Sequence, residues 1–343
     1  MEYPKFKVCV RCFTFNQSKY IEDAMNGFAM QQTDFSFVCC IVDDASTDGE
    51  QNVIKKYLNM HFDFSSNSVS FYEETDYAYI HYAQHKENKN CYFAVLFLKE
   101  NLYSKKKGLK KFEYISKWRD ICEYEAMCEG DDYWIESNKL QEQVNYMQNH
   151  IDCSLCHSDF SFLQDVTGHL TPYIQNGNTD KEIIQRILNG NEYRVQTCTV
   201  MYRIKDYNKV VESDDFLYKS GYFLMGDTQL WIGLLLLGRI HLIKQNMAIY
   251  RINDGSSCRQ NNNKQRFRFS LSCAELRLYI AQHINLDKRL VKNFKWDYYK
   301  QLIKYVTVDP DFAPLFKTPF YVRMWLKIIT IPFFKKILLS RYM

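Results

Sequence analysis

Residues 35–44 have the sequence FSFVCCIVDD, an apolar run that stops abruptly at two aspartates. A short apolar run bounded by polar residues is typical of a strand that is buried on both faces of a sheet. A similar run, KVCVRCF at residues 7–13, precedes the polar turn TFNQSK. Between the two runs, residues 20–32 place apolar side chains at helical spacing. Strand, helix and strand in this order predict a βαβ unit with a parallel pair of strands.

The same alternation continues to about residue 260. It predicts helices over residues 46–58, 93–102 and 137–150, and strands over residues 76–84, 152–163 and 239–251. We therefore predict an α/β domain over residues 1–260, with a mostly parallel central sheet flanked by helices. Residues 261–343 are helical in pattern and basic, which predicts a separate C-terminal helical region.

Composition excludes several classes of protein. Hydrophobic residues make up 46% of the 343 positions and charged residues 24%, as in a folded globular chain. The net charge of +4 is too small for the whole molecule to bind nucleic acid electrostatically, and no nucleic-acid-binding signature is present. No secretory signal precedes the first strand, and no apolar stretch reaches the length of a spanning helix. These features predict a cytoplasmic protein.

The twelve cysteines lie mostly within apolar runs, where cysteine behaves as a small buried side chain. Two pairs have C-x-x-C spacing, Cys9 with Cys12 and Cys153 with Cys156. Residues i and i+3 of a strand point to opposite faces, which disfavours a shared metal ion. We therefore predict reduced cysteines in the core, and neither disulfides nor a zinc site.

A second acidic group occurs in MCEGDDYWIE, residues 127–136, where Glu129, Asp131 and Asp132 lie within four positions. Because the carboxyl ends of parallel strands meet at one edge of a sheet, we expect this group at the same edge as Asp43 and Asp44. Adjacent carboxylates repel one another unless a cation offsets their charge. A divalent cation held against a diphosphate, Mg²⁺ or Mn²⁺, would provide that charge.

Residues 10–49 resemble the opening of the family 2 glycosyltransferases, which begin with a strand, a P-T-Y-N type turn and a V-D-D-x-S-x-D segment. The segment CEGDDYWIESNKLQEQVNYM resembles the part of that family that carries its D-x-D equivalent. Three further segments follow in the family's order: VQTCTVMYR, MGDTQLWIGLLLLGRIHLI and YRINDGSS. The resemblance covers residues 5–258 and implies a GT-A fold, which has a Rossmann-like sheet.

The resemblance implies a nucleotide site. Asp44 matches the family's residue that contacts the base, and Asp43 is its neighbour. Phe13 and Phe15 belong to the first turn, which lies beside the base, so that Phe15 is expected to stack or pack on it. Asp131 matches the position that touches the ribose.

The resemblance also implies a catalytic site. Asp132 matches the direct metal ligand, and Asp227 matches the catalytic base at the start of a helix. Members of the family invert the anomeric centre: the base takes the proton of an acceptor hydroxyl, which attacks the sugar C1 opposite the leaving nucleoside diphosphate. The implied donor is a nucleotide sugar, with a UDP-sugar expected. Without the resemblance, Asp132 could be a surface residue and Asp227 an ordinary helix N-cap.

The chain departs from the family at three positions. Phe13 replaces the usual proline, Phe15 the usual tyrosine, and Asn253 the histidine that follows the later Y-R pair in many relatives. Asp254 could take over the role of that histidine, and Arg251 could contact a phosphate or pair with a core carboxylate.

Two other functions remain open. A sugar nucleotidyltransferase would need a glycine-rich first turn, which is absent, whereas a catalytically degenerate nucleotide-sugar-binding scaffold at the membrane would bind without turnover.

Residues 312–343 contain basic residues but no acidic ones. Arg323 and Lys327 recur at helical spacing, and aromatic and aliphatic side chains occupy the positions around them. This pattern predicts peripheral contact with the cytoplasmic face of a membrane. The acceptor would then be a saccharide or a lipid-linked saccharide in surface polysaccharide or glycolipid assembly. Packing on the catalytic domain and a dimer contact are the alternatives for this segment.

Overall fold

The computed structural model describes residues 3–105, 107–174, 183–189, 193–253 and 262–331. Twelve strands in these ranges form one sheet: β1 (Phe6–Thr14), β2 (Ser36–Asp43), β3 (Phe62–Asp63), β4 (Phe71–Glu74), β5 (Ala78–His85), β6 (Cys91–Leu98), β7 (Tyr124–Met127), β8 (Tyr133–Trp134), β9 (Cys153–Gln164), β10 (His169–Tyr173), β11 (Met201–Arg203) and β12 (Arg239–Ile252). The helices of the same ranges are α1 (Ile21–Ala29), α2 (Glu50–His61), α3 (Lys110–Arg119), α4 (Lys139–Asn149), α5 (Ile183–Asn189), α6 (Ile204–Ser213), α7 (Asp215–Lys219), α8 (Thr228–Leu237), α9 (Asn263–His283), α10 (Lys288–Val306) and α11 (Phe320–Ile329).

The chain divides into two compact units. The first consists of Met1–Asp215 and Leu230–Ile252, and the second of Phe216–Gln229 and Asn253–Met343. The first unit contains the sheet, and the second contains α9, α10 and α11. The division into a domain over residues 1–260 and a helical C-terminal region over residues 261–343 stays a prediction. The boundary predicted between residues 260 and 261 falls outside the described residues.

The sheet is mixed, and its parallel part lies at the centre. The strand order is β3-β5-β6-β2-β1-β7-β11-β9-β12-β8, with β4 beside β5 and β10 beside β9. Strands β6, β2, β1 and β7 are parallel neighbours, as are β9 and β12. The remaining pairs, including both pairs made by β11, are antiparallel. The prediction of an α/β fold is confirmed, but the sheet as a whole is not mostly parallel, because seven of its eleven described strand pairs are antiparallel. The carboxyl ends of β2, β1 and β7 open at one edge of the sheet.

The central strands are buried on both faces. Ile41 of β2 packs in one apolar cluster with helices α1 and α2, and Val42 packs in a second cluster with helix α3. Because alternate side chains enter different apolar layers, such a strand is apolar at nearly every position. The prediction of a helix over residues 93–102 is wrong for this reason: residues 91–98 form the fully buried strand β6, whose unbroken apolar run has no alternation to mark it as a strand.

The cysteines lie mainly in this core. Each of the eleven cysteines within the described ranges is free, and ten of them are buried. The sulfur atoms of Cys9 and Cys40, on neighbouring strands β1 and β2, lie 3.7 Å apart. The prediction that these residues act as small apolar side chains is confirmed for those ten.

Candidate active site

Three loops meet at the edge where β2, β1 and β7 end. In the parallel register, Thr14 at the end of β1 lies opposite Asp43 of β2, and Arg11 lies opposite Met127 of β7. The acidic groups that follow β2 and β7 are therefore at the same edge, as the sequence predicts. The thiol of Cys12, buried beneath this edge, has a pKa raised well above its usual value by burial and then by carboxylates of both loops.

Gly130 allows the loop after β7 to lie directly against the loop after β1. A Cβ atom at Gly130 would come within 2.4 Å of Thr14 Oγ1 and 2.5 Å of Gln17 Oε1, much closer than such atoms approach in proteins. Any larger residue would push these loops apart. The acidic turn after β7 therefore depends on a glycine between Glu129 and Asp131.

Glu50, the first residue of α2, joins the loops that follow β1 and β2. Its buried carboxylate accepts hydrogen bonds from the Gln17 backbone N–H at 2.9 Å, from Ser46 Oγ at 2.8 Å and from the Thr14 hydroxyl. Burial raises the pKa of Glu50, and these hydrogen bonds oppose the rise. Sequence analysis did not identify Glu50, because an acidic residue in the first turn of a helix is common for electrostatic reasons alone.

Two residues of these loops that are not glycine have backbone angles in the left-handed region. Asn16 has φ 54° and Ala45 has φ 60°. Asn16 accepts a hydrogen bond from the Thr47 backbone N–H at 2.8 Å and donates its own N–H to Ser46 Oγ at 2.8 Å. For alanine this conformation costs on the order of 1 kcal/mol. Strain of this kind, maintained by surrounding hydrogen bonds, is concentrated at functional sites in proteins.

Asp43 is fully buried at the end of β2. Its carboxylate accepts hydrogen bonds from Gln51 Nε2 at 2.6 Å and from the Ser46 backbone N–H at 3.3 Å. Burial raises the pKa of Asp43, while these hydrogen bonds lower it. Asp43 thus fixes the loop between β2 and α2.

Asp44 is also fully buried, and protein groups engage both of its carboxylate oxygens. The backbone N–H groups of Leu102 and Tyr103 donate to it at 2.7 and 3.1 Å, and Lys111 Nζ pairs with it at 2.8 Å. Asp44 therefore holds the segment after β6 and the start of α3 beside the end of β2. Its contact with a nucleotide base stays a prediction.

The two phenylalanines of the first turn have different surroundings. Phe13 is half-buried, packs edge-to-face on Phe112 with ring centroids 5.5 Å apart, and lies beside Arg11 and Lys111. Phe15 is 44% exposed. Of the two rings, that of Phe15 has the larger surface on which a base could stack.

Asp132 is the most deeply buried member of the acidic turn, with 2% of its surface exposed. Its Oδ1 accepts a hydrogen bond from the Arg251 backbone N–H at 2.9 Å, and its carboxylate also hydrogen-bonds to the Cys198 thiol. Burial raises the pKa of Asp132 well above its usual range, and the charges of Asp131 and Glu129 raise it further. An ionised Asp132 therefore needs additional positive charge nearby.

Arg251, from β12, holds the acidic turn in place. Its Nε donates to the carbonyl of Asp131 at 3.0 Å, and its guanidinium pairs with Asp23 at 2.7 Å and Asp165 at 3.5 Å. The same guanidinium lies 4.6 Å from the ring centroid of Tyr20. Sequence analysis left open a phosphate contact or a pair with a core carboxylate; the structure shows pairs with carboxylates, but those of Asp23 and Asp165 are partly exposed and do not lie in the core.

The acidic turn suits a divalent cation only in part. Within the ranges that the structure describes, no group of three or more His, Cys, Asp or Glu side chains is placed to hold a metal ion. Mg²⁺, however, usually binds through one or two carboxylates and takes its other ligands from phosphates and water. Asp132 and Asp131 supply hard oxygen donors of this kind, and burial together with the charges of Asp131 and Glu129 raises the pKa of Asp132. The residues present therefore fit a cation that a diphosphate helps to hold.

Asp227 lies in the second unit, immediately before α8. Its Oδ1 accepts hydrogen bonds from the backbone N–H and the hydroxyl of Thr228, at 2.7 and 3.4 Å. A helix N-cap accepts a hydrogen bond from the second or third backbone N–H of its helix, whereas Asp227 accepts from Thr228, the first residue of α8, so this bond is not that of an N-cap. The half-buried carboxylate stays a predicted base. Asp254, the other candidate near the end of β12, lies outside the described residues.

Comparison with curated proteins gives distant relatives without known activity. The uncharacterized proteins Rv1520 of Mycobacterium tuberculosis and Mb1547 of Mycobacterium bovis are each 29% identical to this chain over 148 residues. The matched region is 42% of this chain and 32% of each relative, so the chain spans about a third of their length. No family model matches the chain.

Solved structures that resemble this chain include TarS of S. aureus and a mannosyltransferase. TarS 1–349 of S. aureus matches with a TM-score of 0.49 and 16% identity, covering 95% of this chain and 81% of that one. The mannosyltransferase PcManGT of Pyrobaculum calidifontis, solved with GDP-Man and Mn²⁺, matches with a TM-score of 0.46 and 10% identity over 98% of this chain and 87% of that one. TarS 1–349 has also been solved with UDP.

Proposed function

We propose that this chain is an inverting glycosyltransferase that takes a sugar from a nucleotide sugar and transfers it to an acceptor hydroxyl. The observation that carries the proposal is the environment of Asp132. A buried carboxylate with a raised pKa, beside two other acidic residues at the carboxyl ends of the central parallel strands, is the arrangement expected of a binding site for a cation and a diphosphate. The order of sequence motifs that resembles family 2 glycosyltransferases agrees with it.

The nucleotide would lie across the loops that follow β1, β2 and β7. In this proposal the exposed ring of Phe15 stacks on the base, and Asp131 binds the ribose. Asp43 and Asp44 shape the same pocket, since they fix the loop after β2 and the segment after β6 respectively. Phe13 supports the site from below through its packing on Phe112.

Asp132, with help from Asp131, would hold Mg²⁺ or Mn²⁺. When bound, such a cation stabilises the negative charge of the departing nucleoside diphosphate. Arg251 positions the acidic turn through the Asp131 carbonyl and the Asp132 carboxylate. Its guanidinium is already paired, so we assign it a positioning role.

Asp227 is the proposed general base. It would accept the proton of the acceptor hydroxyl while the hydroxyl oxygen forms a bond to C1 and the bond from C1 to the diphosphate breaks. The expected products are a glycoside of inverted configuration and a nucleoside diphosphate. A UDP-sugar as donor, a saccharide or lipid-linked saccharide as acceptor, and action at the cytoplasmic face of a membrane complete the proposal.

Release of nucleoside diphosphate by the purified full chain tests this function. The panel should contain UDP- and GDP-sugars, each with Mn²⁺ and with a chelator, because the solved structures above contain UDP and GDP-Man. The proposal predicts metal-dependent hydrolysis of one donor, lost in Asp132→Asn and Asp227→Asn and kept in the exposed control Asp76→Asn. Release at the wild-type rate by either site variant would overturn the assigned roles. Metal-dependent binding without release, with any acceptor tested, would instead support the scaffold alternative.

A further inference from the structure

The second unit contains a basic cleft between α10 and the segment that leads into α11. Its volume is about 400 Å³, and none of the described residues that line it is acidic. Three lysines supply positive charge, and three aromatic rings supply its apolar surface: Lys292, Lys295, Lys317, Trp296, Tyr299 and Tyr321. Cations beside flat aromatic surfaces suit a phosphate attached to an apolar or ring-containing group.

Helix α11 has three distinct faces. Val322 and Ile329 are buried and pack it onto its own unit. Arg323 and Lys327, one turn apart, are exposed. Apolar side chains that are 46–70% exposed occupy a third face, which we call the apolar face: Phe320, Tyr321, Met324 and Trp325. Single exposed apolar residues are ordinary, but four within six positions on one helix mark an interaction surface.

The cleft and the apolar face are contiguous. Tyr321 belongs to both, since it lines the cleft and is also exposed on α11. Its ring centroid lies 6.3 Å from that of Trp296 on α10. A partner that covers the apolar face would therefore also reach the lysines of the cleft.

From this arrangement we propose that the cleft and the apolar face form one docking surface for an anionic lipid bilayer. The apolar face enters the boundary between headgroups and acyl chains, Arg323 and Lys327 lie at headgroup level, and the cleft takes the phosphate of an anionic lipid. Basic helices with exposed aromatic side chains bind bilayers in this way. In the described ranges, the structure contains no helix that is long and apolar enough to span a membrane, so the contact proposed is peripheral.

The positive charge of this surface favours binding to an anionic bilayer over binding to a second copy of this chain. None of the five basic residues of this surface forms an ion pair within the described part of the chain: Lys292, Lys295, Lys317, Arg323 and Lys327. A two-fold contact through the apolar face would bring two such sets of charges together and be repelled. An anionic bilayer satisfies the charges and the apolar side chains at once. The proposal does not depend on sugar transfer.

Vesicle flotation with the full chain tests the docking surface. Phosphatidylcholine vesicles with and without phosphatidylglycerol separate an anionic requirement from general lipid binding, and added salt should weaken the contact. The wild-type chain is expected to float only with the anionic vesicles. Replacing Lys292, Lys295 and Lys317 together by glutamine should reduce the affinity on the order of a hundredfold, since each charge near such a surface contributes about fivefold.

Matched variants keep the test specific. The control variant replaces three exposed lysines of the first unit by glutamine: Lys5, Lys56 and Lys205. It removes the same amount of charge elsewhere and should leave flotation unchanged. Phe320→Ser with Trp325→Ser should release the protein from vesicles without changing its circular dichroism or melting temperature, because both side chains are exposed.

Several results would overturn the proposal. One is absence of flotation with anionic vesicles, and another is equal flotation of the cleft variant and the wild-type chain. A third is flotation abolished by millimolar inorganic phosphate at constant ionic strength, which would assign the cleft to a soluble phosphate. The last is a dimer, detected by sedimentation, that dissociates when Phe320→Ser and Trp325→Ser are combined. This result would assign the apolar face to self-association.

Discussion

Asp132 and Arg251 lie 119 positions apart in the chain, and the backbone N–H of Arg251 donates a hydrogen bond to the Asp132 carboxylate at 2.9 Å. This bond connects the turn after β7 with β12, the last of the described strands in chain order. Two segments that resemble separate landmarks of one enzyme family are thus in direct contact. The geometry of the acidic turn depends on both.

Arg251→Lys should reduce donor turnover by at least about tenfold. Lysine keeps the charge, but it cannot donate to the Asp131 carbonyl while it also pairs with Asp23 and Asp165, so the turn loses its support. Steady-state kinetics of nucleoside diphosphate release measures the effect. Arg239→Lys, in the exposed pair with Asp152, is the matched control and should behave as wild type. Unchanged kinetics in Arg251→Lys would mean that the turn is positioned without the guanidinium.

Gly130→Ala should impair donor binding. The added Cβ would collide with the side chains of Thr14 and Gln17, and the loop after β7 must move away from the loop after β1. We expect at least a tenfold weaker affinity for the nucleoside diphosphate, measured by calorimetry. Gly108→Ala is the control, because a Cβ there meets no atom within 4 Å. Equal affinity in both variants would show that the two loops do not form one site.

Glu125→Gln should destabilise the fold. The buried carboxylate of Glu125 pairs with Arg11 and Arg119 and accepts a hydrogen bond from Tyr202 at 2.8 Å. Although burial opposes ionisation, the two guanidiniums hold the pKa of Glu125 below its usual value. Removing its charge takes the buried ion-pair partner from Arg11 and leaves Arg119 only the exposed carboxylate of Asp120. We expect this to cost about 3–5 kcal/mol of unfolding free energy, measurable in urea. Glu74→Gln, in an exposed pair with Lys99, should change stability little, and a similar small loss for Glu125→Gln would contradict this account.

His157 should make the protein sensitive to acid. It is fully buried, its Nε2 lies 2.7 Å from the Tyr193 hydroxyl, and burial lowers its pKa from 6.5 to about 3. Between pH 3 and pH 6.5, His157 therefore binds a proton in the unfolded chain but not in the folded chain. Stability is therefore complete above pH 6.5 and falls as the pH decreases, by about 1.4 kcal/mol per pH unit.

Thermal unfolding at pH 7 and pH 5 measures this dependence. The wild-type chain should lose about 2 kcal/mol more than His157→Gln over that interval. His169→Gln, at an exposed position, should retain the wild-type loss. Identical acid sensitivity of His157→Gln and the wild-type chain would exclude His157 as its source.

The sequence predicts the centre of the fold better than its edges. The unit of β1, α1 and β2 follows from apolar runs on either side of a helical repeat, and both acidic groups lie at the predicted edge of the sheet. The sequence did not predict strand β6, because a strand that is buried on both faces has no alternation of apolar and polar residues. The antiparallel insertion of β11 between β7 and β9 depends on contacts distant in sequence, which local patterns do not encode.

Prediction of the candidate site from the sequence is limited in the same way as prediction of the fold. A motif predicts which carboxylates lie near a nucleotide, but it does not predict their partners. Asp43 and Asp44 are adjacent and similar in sequence, yet Asp44 alone is engaged by Lys111 and by the segment after β6. Glu50 and Gly130, which hold the loops together, carry no signal that separates them from an ordinary helix start and an ordinary turn.

The central claim is that the edge formed by the loops after β1, β2 and β7 binds a nucleoside diphosphate together with a divalent cation. Calorimetric titration of UDP and GDP into the wild-type chain and Asp132→Asn, each with and without Mn²⁺, tests it most directly. The account predicts that one nucleotide binds the wild-type chain only with Mn²⁺ and that Asp132→Asn loses this binding. Binding that is equal in both proteins, or absent from the wild-type chain under all conditions, would contradict it.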